Sequence, residues 1–388
     1  MAVKSIKQNC VFSDDITSLM ETFKEMVNFC IKIGLQENIS TLKKFSSLHY
    51  KNLSQFDIQG KYKLTAMSQA MGRLAQRKRD MKKGRTPKSP YISKPYLVSC
   101  YGFKITGMLL SFPISNDDKF LVKLNEYTTS QLENMEPRSF TITPNSISIS
   151  VRKQVGQVIP ENMIGIDRNL RNVTISTNDG TILYKTNKLL SIKENTSHVI
   201  SSFKRFDVRV KRHFQQRLGN RRSRRIQQCL HKISKDIIQR AKESKSMIVF
   251  EDLKGIRKLY RKGNGQGNKY RRKLNSWSFY ELQRQITYKA EWEGIPVRFV
   301  DPKRTSQLCP ICGGRLQEDR FHRRKLLCIN CKRSMNRDVI ASMNIAYKGW
   351  SRFCHPRGLL VEAMKGNVEY LQPLILRVDG SKLVEAQR

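Results

Sequence analysis

The chain has 388 residues, with 73 Lys and Arg against 32 Asp and Glu and a net charge of +41. That length holds two or three domains, and so large a positive excess repels itself unless a polyanion neutralises it. A merely soluble surface needs far less charge, so the composition points to nucleic acid as the partner.

The first eleven residues have no apolar signal core, and the most apolar long window, 96–115, is broken by Ser99, Gly102, Lys104, Thr106 and Gly107. We therefore expect a cytoplasmic protein with no membrane partner, whose nine cysteines sit in a reducing compartment. Residues 12–85 read as helical. Ile16, Leu19, Met20, Phe23, Met26, Val27, Cys30 and Ile31 recur on one face behind Ser13 and Asp14. A second helix around 65–79 carries Arg73, Arg77 and Lys78 near its end. Short β runs follow at 97–105, 120–124, 139–142 and 146–151, the last alternating Ile147, Ile149 and Val151. Helices inserted near the start of a small β-domain is the reading of residues 1–158.

From residue 159 the rhythm becomes α/β. Met163-Ile164-Gly165-Ile166-Asp167 reads as a buried strand, 172–177 as a second, and Asn178-Asp179-Gly180 as a hairpin turn into a third at 181–184. A long basic helical stretch covers roughly 197–244, and Met247-Ile248-Val249-Phe250 is a strand ending at Glu251. Ser278-x-x-Glu281 reads as a capping box opening a helix, and 295–300 as a returning strand. A three-strand meander followed by strand–helix–strand is the ribonuclease-H-like order.

Two acids thus end apolar strands, Asp167 and Glu251, and a third, Asp338, opens a helix capped by Asn336. Any one of these reads most simply as an ordinary capping acid. Three that converge repel one another and call for cations. Their hard oxygens suit Mg²⁺ or Mn²⁺, and a pair of such ions supports phosphodiester hydrolysis. Cys309, Cys312, Cys328 and Cys331 form C-x₂-C-x₁₅-C-x₂-C, the spacing of a closed structural Zn²⁺ site, with Gly313-Gly314 permitting the first turn. Cys10, Cys30, Cys100, Cys229 and Cys354 have no such spacing and read as packing. Lys211, Arg212, Arg221, Arg222, Arg224 and Arg225 lie in one basic run, which reads as a rail for a phosphate backbone. Arg271 and Arg272 lie in another, a basic loop beside Glu251 where Tyr260 and Tyr270 offer stacking faces.

In order, Gly165-Ile166-Asp167, Phe250-Glu251-Asp252-Leu253, Trp277-Ser278-Phe279-Tyr280-Glu281-Leu282-Gln283, Tyr288-Lys289-Ala290-Glu291, Asp301-Pro302-Lys303-Arg304-Thr305-Ser306-Gln307 and Asn336-Arg337-Asp338 closely resemble the TnpB family. These are transposon-encoded RNA-guided DNA endonucleases related to type V CRISPR effectors, and the match covers roughly residues 160–350. The resemblance implies an α/β and α+β multidomain chain: an RNase H-like (RuvC) nuclease core with an inserted four-cysteine zinc element. A small β-barrel-type wedge domain precedes it, holding a helical recognition insertion. On it, 1–11 and 96–158 are the wedge, 12–95 the insertion, 159–303 and 335–350 the core, 304–334 the zinc element and 351–388 a C-terminal tail. Asp167, Glu251 and Asp338 map onto the metal-binding catalytic triad and the four cysteines onto the zinc element. The implied partners are a guide RNA derived from the transposon end and target DNA, in a prokaryotic, nucleoid-associated setting. The oligomeric state stays open.

Two departures stand out: Arg168-Asn169-Leu170 replaces the more usual Leu-Gly-type continuation, and Asn336 stands where many members have Asp. Alternatives are a relative that binds under RNA guidance without cutting, and a guide-independent structure-specific nuclease of resolvase type. DNA transposase activity is disfavoured, because the family assigns that step to a partner protein.

Overall fold

A computed structural model describes residues 2–115, 118–203, 208–256, 265, 267–319, 322, 324–353, 373–379 and 382–386, without the side chains of 209–211. Lys211, Tyr260 and Cys354 therefore lie outside the described side chains. The chain divides into two compact units, Met1–Gln154 and Val155–Arg388. Among the described residues no helix is long and apolar enough to cross a membrane.

The first unit begins with β1 (Ala2–Asn9), followed by α1 (Asp14–Gln36), α2 (Leu42–His49) and α3 (Gly60–Lys82). The eight apolar residues that recur at helical spacing in α1 are all buried, against α3. Each such burial is worth roughly 1.5–3 kcal/mol relative to exposure, which holds the helices together despite the charge on their outer faces. Then come β2 (Leu97–Ser99), β3 (Lys104–Thr106), β4 (Leu109–Pro113), β5 (Lys119–Lys123), α4 (Glu126–Leu132), β6 (Glu136–Thr143) and β7 (Ser146–Lys153). β1 returns to pair antiparallel with β7 along its whole length, in the sheet order β1-β7-β6-β2, and β3-β4-β5 form a second sheet. The helices are thus an insertion between two strands of one sheet.

The second unit starts four residues before the expected boundary at 159, because Val158 N donates to Gly294 O at 3.0 Å and ties this segment to the second unit. Its elements are β8 (Asn162–Arg168), β9 (Asn172–Thr177), β10 (Gly180–Lys185), α5 (Asn187–Ser202), α6 (Val208–Glu243), β11 (Ser246–Glu251), α7 (Asn268–Asn275), α8 (Phe279–Glu293) and β12 (Val297–Val300). A small three-stranded sheet of β13 (Leu316–Glu318), β14 (Lys325–Cys328) and β15 (Ser334–Asn336) follows, then α9 (Arg337–Phe353), β16 (Leu374–Asp379) and β17 (Lys382–Glu385). The large sheet runs β12-β11-β8-β9-β10-β16-β17. Its first five strands follow the expected ribonuclease-H-like order, with β9 antiparallel to β8 and β10 and with β11 parallel to β8 and β12.

Two expectations need correction. The last segment is not only a tail: β16 pairs parallel with β10, and β17 folds back on β16 to extend the sheet. Ser278 begins α8 but makes no side-chain cap. Its backbone, φ −92° and ψ 27°, lies outside the extended conformation an N-cap takes, Lys193 Nζ donates to its hydroxyl at 2.8 Å, and Glu281 is engaged by Arg284 and Gln285, so the capping box does not form.

Strand alternation sorts the side chains between two faces. Ile164, Ile166, Val173, Ile175, Ile248 and Phe250 meet α6 and α8 on one face. Met163, Met247 and Val249 meet Ile345 and Ala346 of α9 on the other. Gly165 lets α9 sit deep against the sheet: a Cβ there would lie 2.1 Å from Ser342 O and 2.5 Å from Ala346 N.

Candidate carboxylate and zinc sites

The same alternation aims the acids. Asp167 follows Met163 and Gly165 on β8, and Glu251 follows Met247 and Val249 on β11, so both project to the α9 face at adjacent strand ends. Asp338, in the first turn of α9, reaches the same place. Asn336 Oδ1 accepts from the Asp338 backbone N at 2.8 Å and fixes that turn as expected. Asp167 and Asp338 are buried, with 7% and 5% exposure, and Glu251 is half-buried.

Burial pushes the Asp167 carboxyl up to about 8, with the charges of Glu251 and then Asp338 raising it further. Burial also raises Glu251, partly offset by the Thr305 hydroxyl, Arg168 and Lys348. Three acids crowded so that their charges oppose one another form an electrostatic demand for a cation. Two buried oxygens point the same way. Thr174 Oγ1, opposite Asp167 in the β8–β9 register, and Asn172 Oδ1 have no hydrogen-bond partner among the described residues. A hydrated, oxygen-seeking divalent ion fits this donor set.

Several residues that the sequence did not single out hold the acids. Asn169 Nδ2 donates to Asp167 Oδ2 at 2.6 Å and to Asp338 Oδ1 at 3.1 Å. Asn172 Nδ2 and Arg324 Nη1 both donate to Asp338 Oδ2, at 2.7 and 2.6 Å. Thr305 Oγ1 donates to Glu251 Oε1 at 2.6 Å, and its loop is tied to α9 by Asn344 Nδ2, which donates to Thr305 O and Leu308 O. Arg168 points to the opposite face. Its guanidinium lies 4.9 Å from the Phe250 ring centre and donates to the Glu251 carbonyl at 2.7 Å and to Gln283 Oε1 at 2.6 Å. The signal was present in part: Thr305 and Gln283 lie in motifs that carry the family resemblance, and Arg168-Asn169 is the stretch that departs from the usual pattern.

The four cysteines come together as spaced. Their sulfurs all lie within 4.8 Å of one another, with Cys309–Cys331 at 3.8 Å and Cys312–Cys328 at 3.4 Å. Four 2.3 Å Zn–S bonds at tetrahedral angles give S···S edges of about 3.8 Å, so this cage matches zinc. The two knuckles are built alike. Gly313 N donates to Cys309 O and Lys332 N to Cys328 O, and both donors sit in left-handed backbone, φ 71° and 56°. Glycine takes that conformation freely, whereas Lys332 does not. Among the described residues no other set of three or more Cys, His, Asp or Glu is so tightly clustered, so the three carboxylates are more widely set. Of the remaining cysteines, Cys30 and Cys229 are buried, but Cys100 is exposed and contributes no packing.

The basic residues are spread over both units. On α3 of the first unit, Arg73 and Lys78 are exposed and Arg77 is half-buried. On α6 of the second, Arg212, Arg221, Arg224 and Arg225 are exposed. Arg222 faces a groove of about 1300 Å³ between α5, α6 and α7, which Arg272, Lys269 and Lys273 also line. Arg271, on α7, is half-buried, and Tyr270 beside it is half exposed.

Comparison with known proteins adds to this geometry. Residues 279–345 match the family described as Cas12f1-like, TNB domain, which takes in α8, β12, the zinc element and the start of α9. InsQ of Escherichia coli, whose name marks it as a candidate RNA-guided DNA endonuclease, is 26% identical over 52% of this chain and 53% of its own length. The structure of a Cas12f1 in complex with sgRNA and target DNA shares the fold, with a TM-score of 0.56 over 87% of this chain and 83% of that one, at 15% identity. A TnpB-like protein of Methanocaldococcus jannaschii is 37% identical over 53% of this chain and 76% of its own length, and with that match the chain belongs to the TnpB family.

Proposed function

We propose that the chain is a transposon-encoded, RNA-guided DNA endonuclease that hydrolyses phosphodiester bonds at Asp167, Glu251 and Asp338. The observation that carries the reading is the convergence of these acids on one sheet face, where burial and mutual repulsion hold Asp167 protonated up to about 8. The names of InsQ and of the Cas12f1 complex support the choice of RNA and DNA as partners. On this reading, the three carboxylates hold Mg²⁺ or Mn²⁺, which when bound activates water and stabilises the leaving oxygen. The residues of the chain do the positioning. Thr305 orients Glu251, and Asn172 and Arg324 hold Asp338. Arg324 lies on the loop of the zinc element with its side chain 58% exposed. It can therefore leave Asp338 and meet a phosphate.

The four cysteines hold zinc as a closed structural site, and the first unit serves as the wedge domain with its helical recognition insertion. The basic faces of α3, α6 and α7 carry the RNA and DNA backbones, giving affinity without sequence.

The test is to extract and sequence the RNA that co-purifies with the protein, then assay matched DNA with and without it. Cleavage only with RNA and divalent metal is expected. Equal cleavage after RNA removal would instead favour a guide-independent nuclease, and matched binding with no cleavage in Mg²⁺ or Mn²⁺ a binding-only relative.

A further inference from the structure

A single amide nitrogen stands between two of the three acids. Asn169 Nδ2 is 2.6 Å from Asp167 Oδ2 and 3.1 Å from Asp338 Oδ1. An NH₂ group donating to both oxygens takes, in position and in sign of partial charge, the place of a cation that bridges them. The amide carries its own alternative. A half-turn about its last side-chain bond exchanges Nδ2 for Oδ1 with almost no change of shape. The backbone need not move. Asn169 N donates to Asn172 O at 2.9 Å, closing the tight β8–β9 turn and fixing where the side chain starts.

The surroundings offer oxygen atoms to a positive centre. Asp338 Oδ2 is already occupied by Asn172 and Arg324. Thr174 Oγ1 and Asn172 Oδ1, on the same face of β9, are buried without hydrogen-bond partners among the described residues. A neutral carbonyl oxygen is a hard ligand of the kind Mg²⁺ and Mn²⁺ accept alongside carboxylates and water. Asn169 also belongs to the stretch where this sequence departs from the usual family continuation.

We propose that Asn169 is a further ligand of the divalent cation shared by Asp167 and Asp338. Without the ion its amide nitrogen stands in for it, and with the ion the amide turns over and Oδ1 coordinates. The inference rests on the reading of the acids as a divalent-metal site. One side chain thus bridges the two carboxylates by hydrogen bonds when the ion is absent and binds the ion when it is present.

The test measures metal binding directly, with no cleavage step. Mn²⁺ is titrated into the full-length, zinc-loaded chain, and free Mn²⁺ is followed by electron paramagnetic resonance. Asn169→Ala should weaken Mn²⁺ binding by about tenfold or more, the scale seen when metal-site support is removed. Asn169→Asp should bind at least as tightly as wild type. Asn169→Ser, which keeps a polar group in the turn but is too short to reach the ion, should weaken binding too and serves if the alanine variant folds poorly. A residue that only spaced the acids apart would have to be displaced by the ion, so unchanged or tighter binding in Asn169→Ala and Asn169→Ser overturns the proposal. If wild type shows no Mn²⁺ site that Asp167→Ala removes, the metal reading of the acids fails first, a result distinct from failure at Asn169 alone.

Discussion

The cysteine cage and the carboxylate cluster solve opposite problems. The cage is closed: four soft thiol ligands on two matching knuckles, already at the spacing of a tetrahedron. The carboxylate cluster is open and wider. Its members come from three separated elements and are held by asparagine, threonine and arginine donors. A site that is to stay shut can be built locally, by one short motif. On the proposed reading, a site that admits water and a phosphate is left electrostatically unsatisfied, and the sheet and helix around it supply the rigidity it lacks. The two are also coupled, since Cys309 and Cys328 pack with Met335 and with Ile340, two residues after Asp338.

The comparison breaks most severely at the cage. Structural zinc contributes on the order of 10 kcal/mol to small metal-dependent folds. Cys328→Ser should therefore lose zinc, measured as metal per chain, and melt the small sheet. Because Ile340 packs on that cage, cleavage should fall with it. Normal zinc content in that variant would remove the assignment.

Gly165→Ala tests the rigid side of the carboxylate site. Its Cβ would meet backbone atoms of α9 that cannot give way as side chains do. A loss of about 3 kcal/mol is expected in chemical denaturation, with weakened metal binding as Asp338 moves off. A variant of wild-type stability would mean that α9 does not press on the sheet at this point.

Asp167→Asn probes the unsatisfied charge and should have the opposite sign. Asp167 in the fold is raised to about 8, so it favours the fold while protonated. That contribution is complete below the ordinary carboxylate range and is lost as pH rises toward about 8. Without divalent metal, Asp167→Asn should melt higher than wild type, with the gap widening from pH 5 to 8 by a few kcal/mol. A gap independent of pH would show that repulsion is already relieved.

The smallest effect lies on α6. Charge reversal at Arg221, Arg224 and Arg225 should flatten the dependence of nucleic-acid binding on salt by up to about one unit of log–log slope for each phosphate left unneutralised. An unchanged slope would leave those arginines as a solvated face.

How much of this was legible differs between the two sites for a physical reason. The cysteine spacing is local, so four ligands can be read from 23 consecutive residues, 309–331. The strand pattern around Asp167 and Glu251 is also local, and period-two alternation already assigns their face. What escaped are contacts that only folding makes, most of them from far along the chain. Lys193 takes the Ser278 hydroxyl from 85 residues away, and Thr305 reaches Glu251 across 54. Arg324 looks from sequence like one more cation in a basic chain, and only the fold brings it to Asp338. The short strands β16 and β17 are recognisable only by their pairing, since β16 leans on β10 from the far end of the chain.

Asp167, Glu251 and Asp338 supply the chemistry in this reading, while the basic surfaces and base pairing supply binding. The measurement that meets that division most directly pairs a gel shift with a cleavage assay on one matched DNA, using wild type and Asp167→Ala loaded with the same RNA in Mg²⁺. Equal retention of the DNA is predicted, with cleavage by wild type alone and with chelation of Mg²⁺ reducing wild type to the behaviour of the variant. Cleavage by Asp167→Ala at the wild-type rate would contradict it.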